Sequence, residues 1–202
     1  MMKTIKEEIQ RAIILVLLMT ILCGIIYPML ITGVSQLFFH SKANGSILEA
    51  DGKKYGSELL GQQFTDDKYL WGRVMDINID LFTDSQGNKL MYAAPSNVST
   101  TSDEFKQEVS DRVEQIKRAN PASNDKKIPV DLVTNSGSGL DPQISYDATL
   151  YQAKRIAQVR NISVEKVQQI IDRYTTDRFA GIFGEKVVNV LEVNLALDGI
   201  IN

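Results

Sequence analysis

An uninterrupted run of 30 residues without a formal charge, residues 12–41, limits what this chain can fold into. Within it, 13 of the 23 residues from 12 to 34 are Ile, Leu or Val. At about 1.5 Å per residue, a helix of that length measures roughly 34 Å, enough to cross a hydrocarbon layer of about 30 Å. The sequence therefore predicts a transmembrane helix over residues 12–34.

A cleaved signal peptide is the alternative interpretation of this N-terminal region. Lys3, Lys6 and Arg11 give it a basic start, and the small residues at 41–43 resemble a cleavage site. The apolar run is longer than the roughly 7–15 residues of a signal sequence, which favours a retained anchor. If cleavage did occur, the remainder would be a secreted binding or hydrolytic domain. A retained anchor also leaves open a membrane-anchored extracytoplasmic binding domain.

The charges beside the apolar run predict its orientation. Basic residues flanking a membrane helix stay in the cytoplasm, and acidic neighbours have little influence. The three basic residues therefore place residues 1–11 in the cytoplasm and residues 44–202 outside it. Gly24 and Pro28 interrupt the run, and such residues are tolerated where a neighbouring helix packs against the span. They predict a partner helix.

Residues 44–202 are predicted to form a single domain of mixed helices and strands, an α+β fold. The pair Asp51-Gly52 is typical of a hairpin turn between two short strands. Thr101, with Glu104 three residues later, resembles a capping box that begins a helix. This helix is expected to end at Asn120, which precedes a proline.

The C-terminal part of this domain carries signals for both kinds of secondary structure. Ser163 is a typical N-cap, and Asn161 separates the helix that it begins from another helix just before it. Short apolar runs predict strands at residues 130–133 and 191–195, the second because apolar and polar residues alternate there. Residues 135–139, rich in Ser and Gly, predict a loop.

Composition and motifs exclude several classes of function. The chain has 22 basic and 25 acidic residues, a balance opposite to that of proteins that bind nucleic acid. The sole cysteine, Cys23, and the sole histidine, His40, allow neither an internal disulfide nor a His-rich metal site. Phosphate loops and the common hydrolase motifs are missing from the sequence. The sequence therefore predicts no metal site, and these absences argue against the common kinds of catalytic chemistry.

A few residues remain candidates for binding. Gln152, Arg155 and Arg160 fall within one predicted helix and are able to hold a phosphate, although basic residues on a helix more often form a solvated face. Trp71 and Tyr69 either anchor a protein interface or fill the core of the domain.

Short motifs recur along nearly the whole chain, at residues 24–28, 43–46, 61–65, 72–73, 118–121, 128–134, 138–145 and 190–198. In their sequence and in their order they resemble the KdpC subunit of the bacterial potassium-transporting P-type ATPase complex.

The resemblance implies a non-catalytic accessory subunit of the bacterial cell membrane, with one membrane helix and an outer domain. Its partners would be a potassium-translocating subunit, an ATP-hydrolysing subunit and membrane lipid, without nucleic acid. The family is also described as a catalytic chaperone for ATP binding, with ATP held at a subunit interface. The candidate residues are then Gly24, Tyr27 and Pro28 for helix packing, and Gln152, Arg155 and Arg160 for contact with nucleotide or partner. Because ATP is cytoplasmic, direct contact by the second set would require the reverse orientation.

Overall fold

The computed structural model describes residues 2–202 and shows two compact units, Met1–Ile47 and Leu48–Asn202. Among the described residues, one helical stretch, Ile5–Phe38, is long and apolar enough to cross a membrane, and its most apolar part is not buried by the chain. The predicted span, residues 12–34, lies inside it. The helical segments of the first unit are α1 (Met2–Ile21), a π-helical segment (Leu22–Ile26), α2 (Tyr27–Phe38) and α3 (His40–Ala43).

The π-helical segment lies where proline interrupts the regular hydrogen bonding of the helix. Pro28 has no N–H, so the carbonyl group of Gly24 lacks its usual partner four residues later. The N–H of Tyr27 bonds to the carbonyl oxygen of Leu22, five residues earlier, which is π-helical spacing. The helix therefore widens by a local adjustment and continues through the proline.

Residues 47–202 form three small sheets, of which the second and third are antiparallel, and four helices of eight or more residues. Strands β1 (Ile47–Ala50) and β2 (Lys53–Ser57) form the first sheet, and β3 (Asp76–Thr83) and β4 (Lys89–Ala94) the second. The third has the order β5 (Gln143–Ser145), β7 (Val187–Asn189), β6 (Thr175–Thr176). The predicted turn at Asp51-Gly52 is confirmed, because both residues have positive φ, 51° and 73°.

The helices of this unit begin at side-chain caps, as their sequences require. They are α4 (Asp103–Ala119), α5 (Tyr146–Arg160), α6 (Val164–Arg173) and α7 (Val190–Leu197), and their caps are Ser102, Ser145, Ser163 and Asn189. Asn161 ends α5 in the left-handed conformation, with φ of 52°, and confirms the predicted break before α6.

Helix α5 lies at the centre of the core, and eight of its 15 residues are buried. Ile156 of α5, Ile171 of α6 and Val193 of α7 are all fully inaccessible to solvent. Burying each such side chain contributes about 1.5–3 kcal/mol. The mixed α/β character predicted for the domain is therefore confirmed.

Three local predictions are wrong. Residues 191–195 belong to α7 and not to a strand. The alternation that predicted a strand is misleading, because Asn194 is buried and does not face solvent. Residues 130–133 do not form a strand either, since Val130–Leu132 is a 3₁₀ turn that begins after Pro129. The cap of α4 is Ser102 rather than Thr101, because its hydroxyl oxygen accepts the N–H of Phe105. Another 3₁₀ turn, Pro121–Ser123, follows α4.

Candidate functional site

Residues 66–71 lie in the domain without forming a helix or a strand. Leu70 and Trp71 are 0% and 4% exposed, so their backbone groups are removed from water. Buried N–H and C=O groups must find hydrogen-bond partners. Since no strand lies beside these two residues, side chains have to supply the partners.

Two side-chain amides supply them. The Gln152 Oε1 accepts the N–H of Trp71 at 2.9 Å, and its Nε2 donates to the Trp71 carbonyl oxygen at 3.0 Å. The Asn194 Oδ1 of α7 accepts the N–H of Leu70 at 2.8 Å, and its Nδ2 donates to the Leu70 carbonyl oxygen at 2.9 Å. Together the amides pair with residues 70–71 as a neighbouring strand would.

Arg155 extends this network along α5. Its Nε donates to Asn120 Oδ1 at 3.0 Å, its Nη2 to Gln152 Oε1 at 2.7 Å, and its Nη1 to the carbonyl oxygen of Asp67. The guanidinium lies 4.5 Å from the ring centroid of Trp71, within cation–π range. Burial lowers the pKa of Arg155 to about 10, against the opposing charge of Asp67, so the side chain stays charged at neutral pH.

Arg160 also binds the backbone of residues 66–71, at Lys68. Its Nε and Nη1 donate to the carbonyl oxygens of Lys68 and Leu197, both at 2.7 Å, and its Nη2 donates to Asp198 Oδ1 at 2.7 Å. The hydroxyl of Tyr69 donates to the other oxygen of Asp198 at 2.8 Å, which raises the pKa of Tyr69. Lys68 and Tyr69 are thereby tied to the end of α7.

The structure thus brings Gln152, Arg155 and Arg160 together along one helix and directs their polar atoms toward residues 66–71. We call these three residues with Asn194 the α5–α7 clamp. Trp71 fills the core, one of the two roles that the sequence left open, while Tyr69 remains half-buried at its edge. Sequence reasoning missed Asn194, because an isolated Asn carries no signal of what its amide will bind.

Two cavities share Arg73 in their walls, one of about 760 Å³ and one of about 650 Å³. The Nη1 of Arg73 donates to Asp131 at 3.0 Å, and the other oxygen of Asp131 accepts the N–H of Ser145 at 2.8 Å. Neither cavity is lined by Gln152, Arg155 or Arg160. Four basic and four acidic residues line the larger one: Arg73, Lys126, Lys127, Lys186, Asp131, Asp141, Asp147 and Glu185.

These equal numbers give the lining of the larger cavity no excess of positive charge. Over the part of the chain that the structure describes, no group of three or more His, Cys, Asp or Glu side chains is placed to hold a metal ion.

The first unit offers a different kind of surface, around the π-helical segment. A Cβ atom added at Gly24 would meet only Thr20 Cγ2 within its own unit, at 4.0 Å. Tyr27 is 61% exposed, and Pro28 follows it at the start of α2. The three residues predicted for helix packing therefore lie on one stretch of helix that is exposed within its own unit.

A long apolar helix that its own chain leaves uncovered, followed by a mixed α/β domain, fits a membrane-anchored subunit of a larger complex. Comparison with known proteins identifies the complex. The family model described as KdpC, K⁺-transporting ATPase, c chain, matches residues 9–199. The chain therefore belongs to the KdpC family of potassium-transporting ATPase subunits, as its motifs predicted.

Individual relatives match over nearly their whole length. The potassium-transporting ATPase KdpC subunit of Clostridium perfringens is 62% identical over 96% of this chain and 98% of the relative. The KdpC subunit of Clostridium botulinum strain Eklund 17B is 55% identical over 99% of this chain and 100% of its own. That of Caldanaerobacter subterraneus subsp. tengcongensis is 41% identical over 95% and 94%.

Proposed function

We propose that this chain is a non-catalytic accessory subunit that stabilises the assembly of a potassium-translocating subunit with an ATP-hydrolysing subunit. The observation that carries the proposal is the helix Ile5–Phe38, whose most apolar stretch is not buried by its own chain. In a bilayer, such a surface is covered either by lipid or by the helices of partner subunits. Membership of the KdpC family supports partner helices.

The packing surface in this proposal is centred on Gly24, Tyr27 and Pro28. A glycine lets a partner backbone approach closely, and van der Waals contact at small residues is a main source of helix association in lipid. The carbonyl group that Pro28 leaves without a regular partner is also best satisfied where a neighbouring helix packs. Tyr27 adds an exposed aromatic side chain beside them.

The domain is proposed to lie outside the cytoplasm. Lys3, Lys6 and Arg11 support this orientation, because basic residues beside a membrane helix are retained inside. Residues 44–202 hold 18 basic and 23 acidic side chains, a net charge of −5. A negatively charged domain near the entrance of the translocating subunit would raise the local concentration of potassium ions.

An effect on ATP binding is proposed to be indirect. The polar atoms of Gln152, Arg155 and Arg160 are occupied by hydrogen bonds inside the domain, and the proposed orientation separates them from cytoplasmic ATP. These observations support an action through the conformation of the ATP-hydrolysing subunit. A nucleotide site between subunits, which the family resemblance implies, would require the opposite topology.

The test is chemical labelling of single cysteines in intact cells. Cys23→Ser removes the sole native thiol, and Gln169→Cys or Lys6→Cys then adds one on the exposed side of α6 or in α1. We expect a membrane-impermeant maleimide to modify Gln169→Cys in intact cells and Lys6→Cys only after lysis. The opposite pattern would overturn the orientation, and a shortened intact mass would identify a secreted, processed domain instead.

A further inference from the structure

The connection between β6 and β7 carries large apolar side chains into solvent. Phe179, Ile182 and Phe183 are 79%, 74% and 65% exposed, although they lie within six residues of one another. We call residues 179–184 the apolar tip. Three large exposed side chains in so short a loop are unusual for a surface that faces only water.

The apolar tip is folded by its own backbone. The N–H of Phe179 donates to the carbonyl oxygen of Phe183 at 2.8 Å, and the N–H of Phe183 donates back to Phe179 at 3.0 Å. The N–H groups of Gly181 and Ile182 bond to the carbonyl oxygens of Arg178 and Phe179, at 3.0 and 3.2 Å. Because these donors are already occupied, the tip can enter an apolar medium without leaving them unpaired.

The charged residues beside the apolar tip are paired with one another across the loop. Arg178 Nη2 lies 2.7 Å from Glu185 Oε2, and Lys186 Nζ lies 3.5 Å from Asp177 Oδ1. The tip itself contains no charged residue. An uncharged apolar end bordered by charged side chains matches the bilayer interface, where apolar groups enter the acyl region and charges remain among the headgroups.

The length of the connecting chain keeps the domain close to a bilayer. Eight residues, 39–46, separate the end of α2 from the start of β1. Fully extended, they would span at most about 29 Å, and the helical turn His40–Ala43 shortens that reach. A tether this short holds the domain at a high effective concentration near the membrane surface.

We propose that the apolar tip inserts into the interfacial layer of the lipid bilayer and forms a second, peripheral membrane contact of this chain. The inference rests on the proposed membrane anchor. The alternative is that the apolar tip binds in an apolar pocket on another subunit. Lipid fits better, because the apolar tip itself is uncharged, whereas the residues that border it are charged, which is the arrangement of a bilayer interface.

The experiment places an environment-sensitive fluorophore on the apolar tip of the full chain. Ile182→Cys in a Cys23→Ser background is labelled with a nitrobenzoxadiazole dye and reconstituted alone into vesicles of phosphatidylethanolamine and phosphatidylglycerol. We expect blue-shifted emission and quenching by lipids that carry a nitroxide near the headgroup. The matched control, Gln169→Cys on the exposed side of α6, is expected to show water-like emission without quenching.

Alkaline extraction of the same vesicles separates the two possible failures. Release of the chain from the vesicles would contradict both the proposed membrane anchor and the tip contact that rests on it. A chain that is retained but has water-like emission at Ile182→Cys overturns the tip contact alone. A blue shift that appears only after the other subunits are added also overturns it, because the apolar tip then binds protein and not lipid.

Discussion

The side-chain amide of Gln152 forms two hydrogen bonds with the backbone of Trp71, 81 positions earlier in the chain, at 2.9 and 3.0 Å. Both residues are buried, at 0% and 4% exposure. A side chain on α5 therefore replaces the strand that would otherwise satisfy this part of the backbone. The α5–α7 clamp is a packing device of the domain, built from residue types that in other settings bind ligands.

Replacing Gln152 by Leu tests this role. The substitution leaves the buried N–H and C=O of Trp71 unpaired, and each such group costs about 1–3 kcal/mol. We expect the free energy of unfolding to fall by about 2–4 kcal/mol. Since Trp71 is the sole tryptophan, its fluorescence during denaturant unfolding of the full chain reports the loss.

Gln158→Leu is the matched control, because Gln158 lies on the same helix with an exposed side chain. Its effect should stay within about 0.5 kcal/mol. Equal unfolding midpoints for the two variants would show that the amide of Gln152 does not support the backbone of residues 66–71.

A close backbone approach predicts that Gly139 cannot be replaced. Its φ is +72°, and a Cβ atom there would lie 2.4 Å from the carbonyl carbon of Ala94 at the end of β4. We expect Gly139→Ala to destabilise the domain by at least about 2 kcal/mol, from left-handed strain and overlap together. Gly137→Ala, two residues earlier, meets no atom within 4 Å and should leave the thermal midpoint nearly unchanged. Similar midpoints for both variants would contradict this packing.

Glu192 makes stability depend on pH. Burial, with a smaller contribution from Glu58, raises the pKa of Glu192 above its ordinary value of 4.5. Its contribution to stability is therefore present below about pH 4.5 and is lost as the pH rises through the folded-state pKa.

At pH 7 the half-buried carboxylate opposes folding, so Glu192→Gln should raise the thermal midpoint there, and the gain should disappear near pH 4. Glu165→Gln, in the exposed first turn of α6, should give no such gain. A gain that is constant from pH 4 to pH 7 would mean that the charge of Glu192 is not its cause.

How far the sequence predicts this fold depends on how local each signal is. The membrane-length helix, the turn at Asp51-Gly52 and the cap at Ser163 follow from neighbouring residues, and the structure has all three. The prediction of a strand at residues 191–195 was wrong. Alternation of apolar and polar residues indicates a strand with one face in solvent only if the polar residues are solvated. Asn194 is 1% exposed and binds Leu70, 124 positions away.

The candidate site shows the same limit. Helical spacing correctly places Gln152, Arg155 and Arg160 on one helix, but spacing does not reveal which groups their side chains meet. Those partners include backbone atoms of residues 67, 68, 71 and 197 and the side chains of Asn120 and Asp198, brought near by the packing of the whole domain. Long-range contacts of this kind leave no pattern in a single sequence.

The surface around Gly24 is predicted to be a contact with a partner helix. Gly24→Leu adds volume where a close approach is expected, and overpacking costs about 1–3 kcal/mol. We expect the yield of partner subunits co-isolated with the chain to fall several-fold. Leu22→Phe adds volume on the opposite side of the helix, two residues away, and should leave the yield unchanged. Equal yields from the two variants would argue against packing at Gly24.

Isolation of the affinity-tagged full chain from its native membrane in mild detergent tests the central claim most directly. An accessory subunit should bring with it a subunit with many membrane spans and a P-type ATPase subunit, while its own mass shows that residues 1–43 are still attached. Recovery of a single, monodisperse protein without companions, or of a water-soluble chain that has lost its apolar helix, would contradict the account.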